Sequence, residues 1–592
     1  MILQELVKYY ERLAEQGKVS KPGWCSAKVS YCLDLRPDGT VARVISCLKE
    51  EERGKKKVLV PQDFTVPAMV SRSSGIAPNF LCDNSKYLLG IDKNGSGKRL
   101  RECFEAAKNR HLEILDGVSG EAAEAVCAFF KSWDPDKAAE NPVISEKWEE
   151  LTAGGNLIFS VGMDEAQKDE SIRCAWEESQ NRKGEGEEKA GVCLVTGKRT
   201  EIARIHNTIK GVSGAQSSGA ALVSFNADSF TSYGKEQSYN APVGIYAAFA
   251  YTTALNYLLS QRRYVFQLGD ATVIFWSESG EEAYQQAFWM GIEAREDDQE
   301  KLRELLEAMQ KGRPVAIDDI SLNPEQSFCV LGLSPNAARL SVRFFYKDSF
   351  GSILTNLKRH YEQMEIVRPS WDRTEYLSAG RMLYETANQK SRDKKAPPNM
   401  AAAVFESILS GAKYPESLYS NVLIRIRAEN GAGKVTRGRA AIIKAYLIRN
   451  KEERLIKEGT FVRVNESCVD TAYVLGRIFA VLEEIQEKAN PGLNSTIKDR
   501  YFNAACSRPQ LIFPTLFKLE SSHIRKLEDR AAIYYERQLT ELQGMLQAEK
   551  GENGIREKAK SYPASLNLEE QGAFILGYYH QVQKRYTKKE DK

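Results

Sequence analysis

The pattern of apolar and polar positions changes character along this chain. In the first part, short alternating runs are mixed with helical segments. WCSAKVSYCLDL (Trp24–Leu35) and ARVISCL (Ala42–Leu48) read as strands, followed by the basic turn ERGKKK and a further strand, VLVP. Helices are expected at Gly97–Leu115 and Glu121–Ser132, while the charged, glycine-containing Asp164–Gly191 reads as an exposed loop or hairpin tip. ATVIFWS (Ala271–Ser277), FCVLGL and RLSVRFFYKD (Arg339–Asp348) are strand candidates, and SFGSILTNLKRHYEQMEI leads out as a helix. Beyond Ile366 the period is helical almost throughout: Met400–Gly411, Tyr419–Glu429, a strongly basic Arg437–Arg454, Cys468–Ala489, Thr496–Cys506, His523–Glu549 and Leu568–Tyr586. The expected fold class is α+β. A large mixed α/β domain over 1–365 precedes an all-helical region, made of a basic connector over 366–462 and a four-helix bundle over 463–592.

A chain of 592 residues is too long for one ordinary core, and 42% hydrophobic with 28% charged residues describes a soluble, folded protein. No run of about 18 apolar residues occurs, and MILQELVKYYERLAEQ is an amphipathic helix without a signal-peptide core, so a cytoplasmic location and no membrane partner are expected. The eleven cysteines are scattered without a C-x-x-C pair, which argues for reduced, buried thiols. The net charge of +3 hides a segregation: Arg381 to Thr460 holds 16 Lys/Arg against 8 Asp/Glu, a local +8, leaving +3 less +8, or −5, for the remainder. Such a zone suggests a localised track for a polyanion.

Catalytic chemistry finds little support. NGSGKR (Asn94–Arg99) and NGAGKVTRG (Asn430–Gly438) resemble phosphate-binding loops, but Asp92 and Ala428 stand where the first glycine belongs. Arg99 and Val435 stand where Ser or Thr should hold magnesium, so a nucleoside triphosphatase is rejected. The five histidines (His111, His206, His360, His523, His580) show no metal-ligand spacing. Asp92, Asp228 and Asp270 lie near polar loops and would have to carry any carboxylate-based nuclease, although turn capping is the commoner role. His206 reads as a structural hydrogen-bonding residue. No cofactor, metal or catalytic residue is expected.

What remains are polar, basic loops. In SRSSGIAPNFLCDNSKYLLG (Ser71–Gly90), Arg72 and Lys86 suit phosphates, and Ser73, Asn79 and Asn84 carry groups able to meet base edges. Phe80 and Tyr87 either stack on bases or anchor the loop. The glycine- and serine-rich run from Lys210 to Gly219 adds Gln216 and Ser217, and is followed by Asn226, Tyr233, Lys235 and Asn240. Arg339 and Arg343 share one face of a strand. Together with Arg437, Arg439, Lys444, Arg477, Lys498, Arg500 and Arg525, they form the candidate backbone track.

The loops RSSGIAPNFLCDNSKYLLG and GVSGAQSSGAALVSFNADSFTSYGKEQSYNAPV resemble those of the large subunit of the type I-C CRISPR surveillance complex, Cascade. LGDATVIFW, LGLSPNAARLSVRFFY, RGRAAIIKAYLIRN, YVLGRIFAVLEEIQ and EEQGAFILGYYHQ are similar to the same family, in order, from about residue 1 to 586. The resemblance implies a non-catalytic subunit beside the subunit holding the crRNA 5′ handle, in contact with backbone and small subunits. It implies inspection of the motif flanking a double-stranded DNA target, support of the displaced single strand, and recruitment of a helicase-nuclease. It also implies that the C-terminal bundle resembles the small subunit, commonly made by internal translation. On this basis Asn79, Asn84, Gln216 and Asn226 are expected to read bases, and Arg72, Lys86, Lys210 and Lys235 to contact phosphates. Two other readings stay open: a carboxylate-dependent nuclease, and an RNA-holding scaffold that never touches target DNA.

Overall fold

The computed structural model describes residues 1–53, 56–70, 75–182, 190–310, 315–317, 320–392, 394–451, 462–546 and 562–586. The chain divides into two units, Met1–Thr208 with Val223–Tyr257, and Ile209–Leu222 with Leu258–Lys592. The boundaries expected at 365 and 462 do not coincide with that division.

In the first unit the alternation of Trp24–Leu35 does produce a strand, and it is the centre of a sheet. It pairs antiparallel with Lys56–Pro67 and Val41–Ser46 and parallel with Asn156–Val161, beyond which lies Cys82–Asn84. The single strand expected at Ala42–Leu48 is two. At Cys47 the chain changes partner, its N–H reaching Ser30 O (2.9 Å) and its carbonyl accepting from Gln62 (3.1 Å), and Leu48–Arg53 then pairs with Lys56–Pro67. Both sheet faces are covered: Leu33, Leu157 and Phe159 meet Phe104, Val126 and Phe130, from the helices Lys98–Ile114 and Glu121–Ser132, while Val29, Cys32, Val66 and Ile158 form a smaller cluster. The segment expected as a loop at Asp164–Gly191 contains a helix, Glu170–Arg182, and its residues 183–189 lie outside the described residues. Ile172 and Trp176, one turn apart, supply its buried face, and the charged residues mask that signal by filling the rest.

The second unit holds an antiparallel sheet in the order Phe266–Leu268, Ala271–Ser277, Ser327–Asn336 and Arg339–Ser349. A hydrophobic core runs without a break from Tyr264 to Tyr579, joining this sheet to the helices that follow. The helix Arg437–Asn450 lies inside it, buried on nearly every side. The C-terminal stretch has five helices among the described residues rather than four: Thr471–Ala489, Ile497–Ser507, Pro509–Ile524, Asp529–Leu546 and Leu568–Lys584. The additional helix, Pro509–Ile524, carries Pro514 in its interior, which hides it from a reading by period. Thr471–Ala489 and Leu568–Lys584 meet backbone to backbone, because glycine stands at both contact points. A Cβ on Gly476 would lie 1.9 Å from the Phe574 carbonyl oxygen, and one on Gly577 2.0 Å from that of Tyr473. Among the described residues no helix is long and apolar enough to cross a membrane.

Candidate nucleic-acid interface

The glycine- and serine-rich run is a braced loop. At its neck Ile209 and Ala220 exchange backbone hydrogen bonds (2.9 Å each). The Ala221 N–H donates to Ala338 O (3.0 Å) and its carbonyl accepts from Leu340 (2.9 Å), which fixes the loop to the strand Arg339–Ser349. Inside the loop, Val212 is buried and the Ser213 N–H donates to Thr272 Oγ1 (3.0 Å). The turns need glycine: Gly211 and Gly219 have φ of +95° and +100°, in the region where a Cβ is strained. Held this way, Lys210, Gln216 and Ser217 face solvent. Arg339 is half-buried where the loop is anchored. Arg343 is partly exposed and ion-paired with Asp270.

The other polar loops belong to the first unit. Asn226 and Lys235 are exposed. Asn240 is not available to a base, since its amide accepts from Ser232 N–H (3.0 Å) and donates to the carbonyls of Lys235 (2.7 Å) and Gln237 (2.9 Å). These bonds brace a tight turn with φ of +51° at Tyr233 and +68° at Gly234, and the Tyr233 side chain is 99% exposed. Such a turn favours Asn or Gly at its first centre, where this chain has Tyr233.

In the N-terminal loop, Arg72 and Ser73 lie outside the described residues. Asn79 is a correction: only 1% exposed, it accepts from Val70 N–H (2.8 Å) and its own N–H donates to Asp83 (2.9 Å). The loop closes inward on the neutral ring of His111, whose Nδ1 faces Ala107 O (2.7 Å) and whose Nε2 accepts from Leu81 N–H (2.8 Å). Burial lowers the pKa of His111 to about 3. Phe80 and Tyr87 are buried anchors, Phe80 stacking on Trp176. Asn84 caps the turn Ser85–Leu88 through Lys86 N–H (3.1 Å), and Lys86 itself is exposed. His206 shares a hydrogen bond with the Tyr251 hydroxyl (2.7 Å).

The expected basic track is the largest correction. Arg437, Arg439, Lys444 and Arg477 are all buried and turned inward. Arg437 binds the Asp372 carboxylate (2.8 Å) and the carbonyls of Thr374 (2.6 Å) and Glu375 (2.8 Å). Arg439 pairs with Glu429 (3.4 Å) and Glu385 (3.6 Å) and donates to the Glu385 and Lys434 carbonyls. The Lys444 ammonium caps the end of the helix Phe350–Met364, donating to the carbonyls of Gln363 (3.2 Å) and Glu365 (2.7 Å), and burial lowers its pKa to about 8. Arg477 holds Gln581 (3.1 Å) and Asn465 O (3.1 Å). A buried charge persists only when its hydrogen bonds are met, and here backbone carbonyls meet most of them. The cations surround the Arg437–Asn450 helix without forming one polar face, a pattern that marks an internal helix. Lys498 is mostly covered beside Glu483 (3.5 Å). Arg500 and Arg525 are exposed.

Of the acidic candidates, Asp92 caps a turn through Asn94 N–H (2.9 Å), Asp228 begins a short 3₁₀ turn, and Asp270 pairs with Arg343. Among the described residues no group of three or more His, Cys, Asp or Glu side chains is placed to hold a metal ion. A protein-family model described as CRISPR-associated protein (Cas_Csd1) matches residues 6–586. No curated protein matches the chain.

Proposed function

This chain belongs to the CRISPR-associated Cas_Csd1 family and is a large subunit of the type I-C kind. From that premise, we propose that it is a non-catalytic subunit that inspects the short motif flanking a double-stranded DNA target. One observation carries the reading: the loop 209–222 is anchored to a sheet strand and offers Lys210, Gln216 and Ser217 outward on a rigid base. An amide that can donate and accept suits a base edge, and an ammonium suits a phosphate. On the first unit, taken by itself, Asn226, Lys235 and Lys86 are exposed and are separate candidate contacts, and Asn84 retains an amide N–H₂ beyond its capping bond. The crRNA, the handle-holding, backbone and small subunits, and a helicase-nuclease acting on the displaced strand are the proposed partners, in the cytoplasm.

The test is equilibrium binding of the assembled, crRNA-loaded complex to target duplexes with randomised flanking trinucleotides. Gln216→Ala with Asn226→Ala should lose about 1–3 kcal/mol of discrimination between flanks. Lys210→Ala should weaken all sequences alike and reduce the salt slope by about one. A wild-type complex indifferent to the flank would overturn the reading and leave an RNA-holding scaffold. Cleavage of labelled DNA by the purified chain with magnesium or manganese would establish the nuclease instead.

A further inference from the structure

The loop 209–222 is built from two consecutive tight turns closed at a neck. In the first, the Ala215 N–H donates to Val212 O (3.1 Å), which places Ser213 and Gly214 at its centre. In the second, the Gly219 N–H donates to Gln216 O (2.9 Å), which places Ser217 and Ser218 there. The exposed Gln216 and Ser217 therefore both belong to the second turn, and Ala215 joins it directly to the first. After Gly219 the chain enters the neck at Ala220, which is bonded to Ile209. The second turn is thus held at one end by the neck and at the other by whatever fixes the first turn.

The first turn is fixed by the buried Val212 side chain and by the Ser213 N–H, which donates to Thr272 Oγ1 (3.0 Å) across 59 positions of sequence. Thr272 is fully buried on the strand Ala271–Ser277, paired with Gln267 on one side and Leu333 on the other. Its oxygen also accepts from Gln267 Nε2 (2.9 Å). A β-branched side chain is stiff at χ1, so the strand backbone itself sets where this oxygen lies. The neck, and the bonds of Ala221 to Ala338 and Leu340, join backbone to backbone and survive a change of side chain. The bond to Thr272 differs from them, because its acceptor is a side chain and one substitution removes it.

We propose that Thr272 is a positioning residue for flank reading: its hydroxyl latches the first turn, so that the second turn presents Gln216 and Ser217 in one fixed place. The proposal rests on the reading of this loop given above and deepens it by naming the side chain that sets its specificity. An amide already held in its binding geometry loses little freedom when a base edge arrives. An amide released from that geometry is competent for only a fraction of the time, and its apparent affinity falls by that fraction. The loss falls on the flank whose bases the loop reads, while duplexes held through phosphates alone keep their affinity.

The test compares the wild type with Thr272→Val and Thr272→Ser in the assembled, crRNA-loaded complex. Valine keeps the branching and suits a strand while removing the hydroxyl, and serine keeps the hydroxyl. Hydrogen exchange over residues 210–219, read by mass spectrometry, should be faster in Thr272→Val and close to wild type in Thr272→Ser. Affinity for the preferred flank should fall by about 2- to 10-fold in Thr272→Val, the range of one net hydrogen bond, with affinity for the least preferred flank unchanged. Thr272→Ser should recover most of the preference, and all three should melt within about 3 °C of one another. Unchanged exchange in Thr272→Val overturns the proposal, because no latch has been released. Faster exchange with flank preference intact overturns it as well. Equal weakening toward every flank, with a lower melting midpoint, assigns Thr272 to the fold alone and is equally fatal. A wild type indifferent to the flank brings down the proposed function and this inference together, whereas a discriminating wild type matched by Thr272→Val brings down this inference only.

Discussion

Two stretches of the second unit carry the same expectation from sequence and are opposites in space. The run Lys210–Gly219, with one lysine among glycines and serines, and the helix Arg437–Asn450, with four cations, are both expected to face nucleic acid. The first is a loop whose backbone is tied down while Lys210, Gln216 and Ser217 face solvent. The second is an internal helix whose cations point at carbonyls and carboxylates, and Arg439 is among its most deeply buried side chains. Charge density along a sequence therefore reports how many counter-charges and carbonyls must be found, and leaves open whether a ligand or the protein itself supplies them.

The comparison is broken most forcefully from inside. Arg439→Ala would leave Glu429 without its cation, Glu385 with Arg381 alone, and the Glu385 and Lys434 carbonyls without their donor, at a cost of about 3–5 kcal/mol. Urea denaturation followed by far-UV circular dichroism should show a large fall in midpoint; an unchanged midpoint would put Arg439 back on the surface. The next effect is pH-dependent. Because burial lowers the Lys444 pKa from 10.5 to about 8, the unfolded chain binds more protons than the folded one between those values. This residue's contribution to stability therefore rises with pH from about 8 to 10.5, by at most ~3.5 kcal/mol at ~1.4 kcal/mol per unit. Lys444→Met should abolish that rise in a series of melts at increasing pH. The smallest effect belongs to the loop, where Gln216→Ala and Ser217→Ala should each shift stability by no more than about 0.5 kcal/mol. A larger shift would show that these side chains support the fold rather than face a partner.

Much of the architecture is legible where one periodicity dominates. Trp24–Leu35, Glu121–Ser132 and Ala271–Ser277 fall where alternation or a helical stripe places them. Misreadings occur where composition speaks louder than period. Glu170–Arg182 is too charged to look like packed helix, though Ile172 and Trp176 suffice to dock it. Pro509–Ile524 is obscured by Pro514. The site was less legible, and for another reason. Asn79 and Asn240 are amides in polar loops, as is Gln216, but the first two spend their hydrogen bonds on neighbouring backbone. No local signal separates these fates, because the partners of Asn79 and Asn240 are set by how the loop folds back on itself.

The contact of Gly476 and Gly577 with the opposing backbones has a bearing on how the protein is made. The two helices that touch there are separated by about a hundred residues, and the second of them ends at Lys584. Until that last helix has left the ribosome, the inner surface of Thr471–Ala489 has no lasting cover, and the apolar interior begun at Tyr264 stays open at one end. The second unit thus cannot close until Leu568–Lys584 has emerged, and over the roughly hundred residues from Gly476 to Gly577 the inner face of Thr471–Ala489 waits for its partner.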